Sequence, residues 1–135
     1  MKISLTSLLI AITCILNTTL AFAEAIADED ELKSTMYLFA NNIGLANAQA
    51  SNCSDDEALS RIRIIRRRGL ERFAEAGFPL KSVEQFDDYI QQNIKDESEK
   101  IGTRCNEHSL KTFMRGMETD YKLLDDVLSR YLVPQ

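Results

Sequence analysis

Leu110, Met114, Met117, Tyr121, Leu124, Leu128 and Tyr131 follow one another in steps of four and three. That spacing keeps one side of an α-helix apolar, whereas a strand alternates every second residue. Gly116 interrupts the series without shifting its phase, so the spacing predicts one continuous helix with a close contact or slight kink there. The pattern recurs. Leu32, Met36, Phe39, Ile43, Ala46 and Ala50 predict a helix from about Glu29 to Asn52, with Asp28 to Glu31 supplying negative charge at its positive end. Leu38 and Leu45 form a second, thinner apolar line on another side of that helix. Gly44 and several alanines keep it slim, so it suits the centre of a bundle, or a helix that shows one side to a partner.

The boundaries between these segments carry their own signals. Ser54 with Glu57 has capping-box spacing and predicts a second helix over Asp55 to Ala76, ended by Gly77 and Pro79. Ser82 with Gln85 repeats the spacing and starts a third helix, whose apolar line is Val83, Phe86, Ile90, Ile94 and Ile101. Gly102 ends it. Thr103 or Asn106 can cap the fourth helix, which puts Cys105 at or just inside its start. No stretch alternates convincingly, so the expected fold is all-α, a four-helix up-down bundle with short connections.

The 135 residues are enough for one domain and hardly more, and the first of them are not part of it. Met1-Lys2 is a short positive region, Ile3 to Leu16 is apolar or hydroxyl-bearing, and Ala21-Phe22-Ala23 offers small-x-small. A signal peptide over 1–23 is expected, cleaved after Ala23, leaving a domain over 24–135 in the periplasm or secreted. A retained anchor is the alternative, although the run is short for a membrane span. Cys14 sits mid-run after Thr13, which does not fit a lipidated cysteine. Cleavage removes Cys14 and leaves Cys53 and Cys105, an even count that reads as one disulfide in an exported chain. Such a bridge ties the end of helix one to the beginning of helix four, and an up-down-up-down order brings those ends together. Cleavage also removes Lys2 and no acid, so the formal charge moves from −5 to −6. An acidic chain is a poor fit to nucleic acid.

Six arginines fall within Arg61–Arg72. On a helical projection Ala58, Ile62, Ile65, Gly69, Leu70 and Phe73 share the core arc. Arg61, Arg68 and Arg72 lie opposite, among Glu57, Glu71 and Glu75. A solvated, salt-bridged face is the plain reading, and a patch for an anion or an acidic partner is the functional one. Arg66 projects into the apolar arc, where a guanidinium needs a carboxylate or must reach out to water. It is either a buried structural ion pair or the floor of a carboxylate-binding groove. Ile64 is an apolar residue on the charged arc.

Little in the sequence speaks for catalysis. His108 is the only histidine and both remaining cysteines are expected to pair, so no metal set or cofactor is indicated. Asp87-Asp88 and Asp125-Asp126 diverge on a helix and do not make an acid/base pair. Asn52-Cys53-Ser54 matches the glycosylation sequon, with a cysteine expected to be paired in its middle. The expectation is a small exported, non-enzymatic bundle that binds another protein, as an inhibitor or immunity protein or an envelope assembly factor. Candidate contact residues are Arg61, Arg66, Arg68 and Arg72, then Leu38 and Leu45. The alternatives are an acid-stress holdase and a membrane-surface binder acting through the arginine face.

Overall fold

A computed structural model describes residues 26–134. The expected signal peptide and its cleavage site lie outside them. Four helices follow in order: α1 (Glu29–Asn52), α2 (Asp56–Glu75), α3 (Leu80–Ile101) and α4 (Glu107–Arg130). No helix among the described residues is long and apolar enough to cross a membrane.

Helix α1 is the axis of the molecule, as its slim, two-sided composition suggests. The other three all pack on it, α3 and α4 most extensively and α2 less so. Its apolar line is buried from Leu32 to Ala50 except at Met36, which is partly exposed, with Phe39, Ile43, Ala46 and Ala50 fully enclosed. The opposing residues come from every other helix: Ile62 and Phe73 of α2, Phe86 and Ile90 of α3, and Met117, Leu124 and Val127 of α4. Close approach depends on glycine. A Cβ at Gly69 would lie 2.6 Å from the Phe39 ring, and one at Gly44 would lie 2.8 Å from the carbonyl oxygen of Asn93. A Cβ at Gly116 would lie 3.2 Å from the Asn42 side chain, a looser approach, and α4 continues unbroken through it.

The α1–α2 junction corrects one expectation. Ser54 does not cap α2; Asp55 does, its carboxylate accepting from the Ala58 N–H. Ser54 is occupied in ending α1, in the left-handed conformation at φ 51°. The Ser54 N–H donates to the Ser51 carbonyl and the Asp55 N–H to that of Ala50, the paired bonds of a Schellman motif. One helix therefore closes on Ser54 and the next opens on Asp55, with no residue between them.

The start of α3 differs as well. It begins at Leu80 behind Pro79, without a side-chain cap, rather than at Ser82. Pro79 holds φ −65° and ψ 152°, and its carbonyl accepts from the N–H groups of Ser82 and Val83. The fixed φ of proline prepares the first turn without a polar cap. Gly77 at φ 102° ends α2, and Phe73 and Phe78 stack across the cap with ring centroids 3.9 Å apart. Asn106 caps α4 by accepting from the Ser109 N–H, which places Cys105 just outside the helix.

Cys53 and Cys105 are bonded, with Cα atoms 4.6 Å apart. Two further ties hold the same end. Buried Gln49 accepts from the Asn106 N–H, and the Asn52 amide donates to the carbonyls of Gly102 and Arg104. The α3–α4 connection is thus fastened across the end of α1. At the opposite end Ala27 forms an isolated parallel bridge with Tyr131.

One pair of helices is missing from the packing. Among the described residues no Cα of α3 lies within 8 Å of a Cα of α4. Both lean on α1 from either side, and the side of α1 facing away from α2 is left uncovered below the α3–α4 connection.

Candidate functional site

The arginines of α2 are mostly occupied in holding that helix. Arg61 and Arg72 reach across to α4, pairing with Glu118 and Asp125. Arg72 also bonds Glu75 at 3.0 Å. The hydrogen bond to Asp125, then that to Glu75, hold the Arg72 guanidinium above the ordinary arginine range. Arg66 reaches the other way, its Nε 2.7 Å from Asp87 of α3 and its Nη1 3.1 Å from Gln91. Its side chain is 22% exposed, so the guanidinium is paired at the edge of the interface and lines neither of the two clefts described below. Arg67 pairs with Glu71 on α2 itself. Arg63 and Arg68 have no ion-pair partner among the described residues. They project to opposite flanks of α2, so the two do not form one patch.

Two clefts open on the surface. The larger, about 860 Å³, lies beside the disulfide between the first turns of α2 and α4. Ala58, Leu110 and Met114 form its floor, and its walls carry both signs, with Asp56 and Glu57 facing Lys111 and Arg115. Arg61–Glu118 spans it. The smaller, about 490 Å³, lies at the opposite end and is lined largely by Met36, Phe78, Phe86, Tyr89 and Tyr131. No group of three His, Cys, Asp or Glu among the described residues is placed to hold a metal ion.

The third feature is the uncovered side of α1. Projected at about 100° per residue, Asp30, Ser34, Leu38, Asn41 and Leu45 share it. Asn42 turns toward α4, where it bonds Asp120, and Gly44 turns toward α3 at Asn93. Leu38 is 42% exposed and Leu45 partly so. Tyr37 and Tyr89 flank the strip on the α3 side, their ring centroids 6.3 Å apart and both exposed. On the α4 side the register set by Asn42–Asp120 brings exposed Leu123 beside Leu38, since α1 and α4 run antiparallel. The structure therefore gathers Leu38 and Leu45 with Tyr37, Tyr89 and Leu123. The last three were not legible as site residues, because each stands off the main apolar line of its own helix.

The sequon asparagine is committed elsewhere, its amide bonded to Gly102 and Arg104 and its neighbour Cys53 in the disulfide. Compared with known proteins, the chain matches no family model, no curated protein and no solved structure, so its function must be argued from its own geometry.

Proposed function

We propose that this chain is a small exported, non-enzymatic helical bundle that binds another protein through the uncovered side of α1. Inhibitor or immunity protein and envelope assembly factor are the roles that fit such a module. One observation carries the reading: α3 and α4 both pack on α1 but stay more than 8 Å apart from Cα to Cα, and the strip between them exposes Tyr37, Leu38, Tyr89 and Leu123. Apolar side chains gathered in a strip rimmed by polar residues are typical of protein-binding surfaces. The arginines support this choice by default, since Arg61, Arg66 and Arg72 are already bonded within the molecule. The test is a pull-down from the native envelope fraction. Leu38→Asp and Leu123→Asp should each lose the partner that the wild-type protein retains, while Arg63→Glu/Arg68→Glu keeps it. Retention by both leucine variants overturns the assignment.

The acid-stress holdase has an observation of its own. Helix α2 buries little and is held to α3 and α4 by Arg66–Asp87, Arg61–Glu118 and Arg72–Asp125. Protonating those carboxylates in acid removes three ties at once and frees the apolar side of α2. A protein that stays silent to an apolar dye near pH 2 is not a holdase.

A further inference from the structure

We infer that the partner element seated on α1 is a basic amphipathic helix. This rests on the α1 reading above and adds the shape and charge of what fills it. An exposed apolar strip lying between two helices is a face along which an amphipathic helix can be laid. Leu38 and Leu45 stand two turns apart on that strip, about 10.5 Å along the axis. Anchors on an incoming helix at i, i+3 or i+4, and i+7 match that interval.

The charge follows from the rim. Asp96 and Lys100 share the Tyr89 side of α3, and Asp126 and Arg130 share the Leu123 side of α4. Each cation there is already bonded: Lys33 to Glu29 at 2.8 Å, Lys100 to Glu97 at 3.3 Å, and Arg130 to both Glu31 and Asp126. Donating to Glu29 and to Glu31 raises the Lys33 and Arg130 pKa values respectively. Asp30 and Asp96 stand without a cation among the described residues, and Arg130 serves two carboxylates. The rim therefore carries surplus negative charge. Two nearby cations are not so engaged: Lys122, beside Leu123, and Arg104, on the connection that closes the far end of the strip. A helix with lysine or arginine beside its apolar stripe fits this rim, and an acidic one is repelled.

The experiment titrates the purified protein with a synthetic peptide carrying leucines at i, i+3, i+4 and i+7 and lysines elsewhere. The comparison peptide has glutamates in place of the lysines. The lysine peptide should bind and the glutamate peptide should not. Leu38→Asp, at an exposed position, should weaken binding about tenfold or more. Asp30→Asn/Asp96→Asn should weaken it a few-fold and flatten its dependence on salt. Circular dichroism shows that each variant is folded, and Leu123→Asp repeats the test if Leu38→Asp is not. Equal binding of the two peptides overturns the charge assignment and leaves α1 as the docking face. A lysine peptide bound equally well by both leucine variants overturns both. Binding of neither peptide overturns the present inference, and the pull-down then decides the α1 reading separately. A dimer that Leu38→Asp dissociates assigns the face to a second copy and overturns it too.

Discussion

Ser54 shows how one residue resolves two competing signals. Its spacing to Glu57 reads as a helix start, but its backbone is spent on ending α1, and Asp55 takes the cap. A serine in the left-handed region costs about 1 kcal/mol or more that glycine does not pay. Ser54→Gly should therefore raise the unfolding free energy by about 0.5–1 kcal/mol, read by urea denaturation, against the small entropic cost of glycine in the unfolded chain. Asp55→Ala removes the cap and should lower it by about 1 kcal/mol. Gly69 makes the opposite case. A methyl group there meets the fully enclosed Phe39 ring at 2.6 Å, so Gly69→Ala should destabilise by about 1–3 kcal/mol despite alanine's better helix propensity.

At the scale of the element, α2 packs least extensively on the other helices. Four of its residues are buried, Ala58, Ile62, Gly69 and Phe73, against ten in α1 and two in α3. Native-state hydrogen exchange should show α2 amides opening at lower free energy than α1 amides, with Arg66→Met and Arg72→Met each speeding α2 further. The pH dependence of the Arg72 tie has a definite sign. Its folded pKa is raised, so its contribution is present throughout the range below the ordinary arginine pKa and is lost only as pH rises through the raised value. Between about pH 9 and 11 that tie should hold in the wild type. Arg72→Lys brings its loss down toward the lysine range near pH 10.4, visible as a steeper alkaline fall in melting temperature than the wild type shows. Helical spacing gives Arg67–Glu71 and Arg72–Glu75, which form, but the partners on other helices could not be read from sequence. Glu57–Arg61 is at helical neighbour spacing, yet Arg61 bonds Glu118 of α4, which only the packing of the two helices brings within reach.

For the molecule as a whole, the disulfide closes a loop across 52 residues and joins the one end at which α1, α3 and α4 converge. Replacing both cysteines by serine should cost roughly 4 kcal/mol by the chain-entropy argument. Gln49 and Asn52 still fasten that end, so the helices should persist by circular dichroism while the melting temperature falls. Helix number, most boundaries, the core-facing side of each helix and the cysteine pairing follow from the sequence alone, although of the α3 line only Phe86 and Ile90 are fully buried. Apolar periodicity, glycine caps and an even cysteine count are local or near-local properties. Val127 is enclosed although it stands off the strict four-and-three series of α4. Tertiary structure alone decided how the helices sit around α1. An up-down order is equally compatible with a closed square of four helices, in which α3 and α4 meet. Here the close approaches at Gly44 and Gly116 draw both helices onto the flanks of α1, and the fastened α3–α4 connection holds them there. The gap between them, and with it the strip of Tyr37, Leu38, Tyr89 and Leu123, is a product of interhelical distances that no single helix encodes.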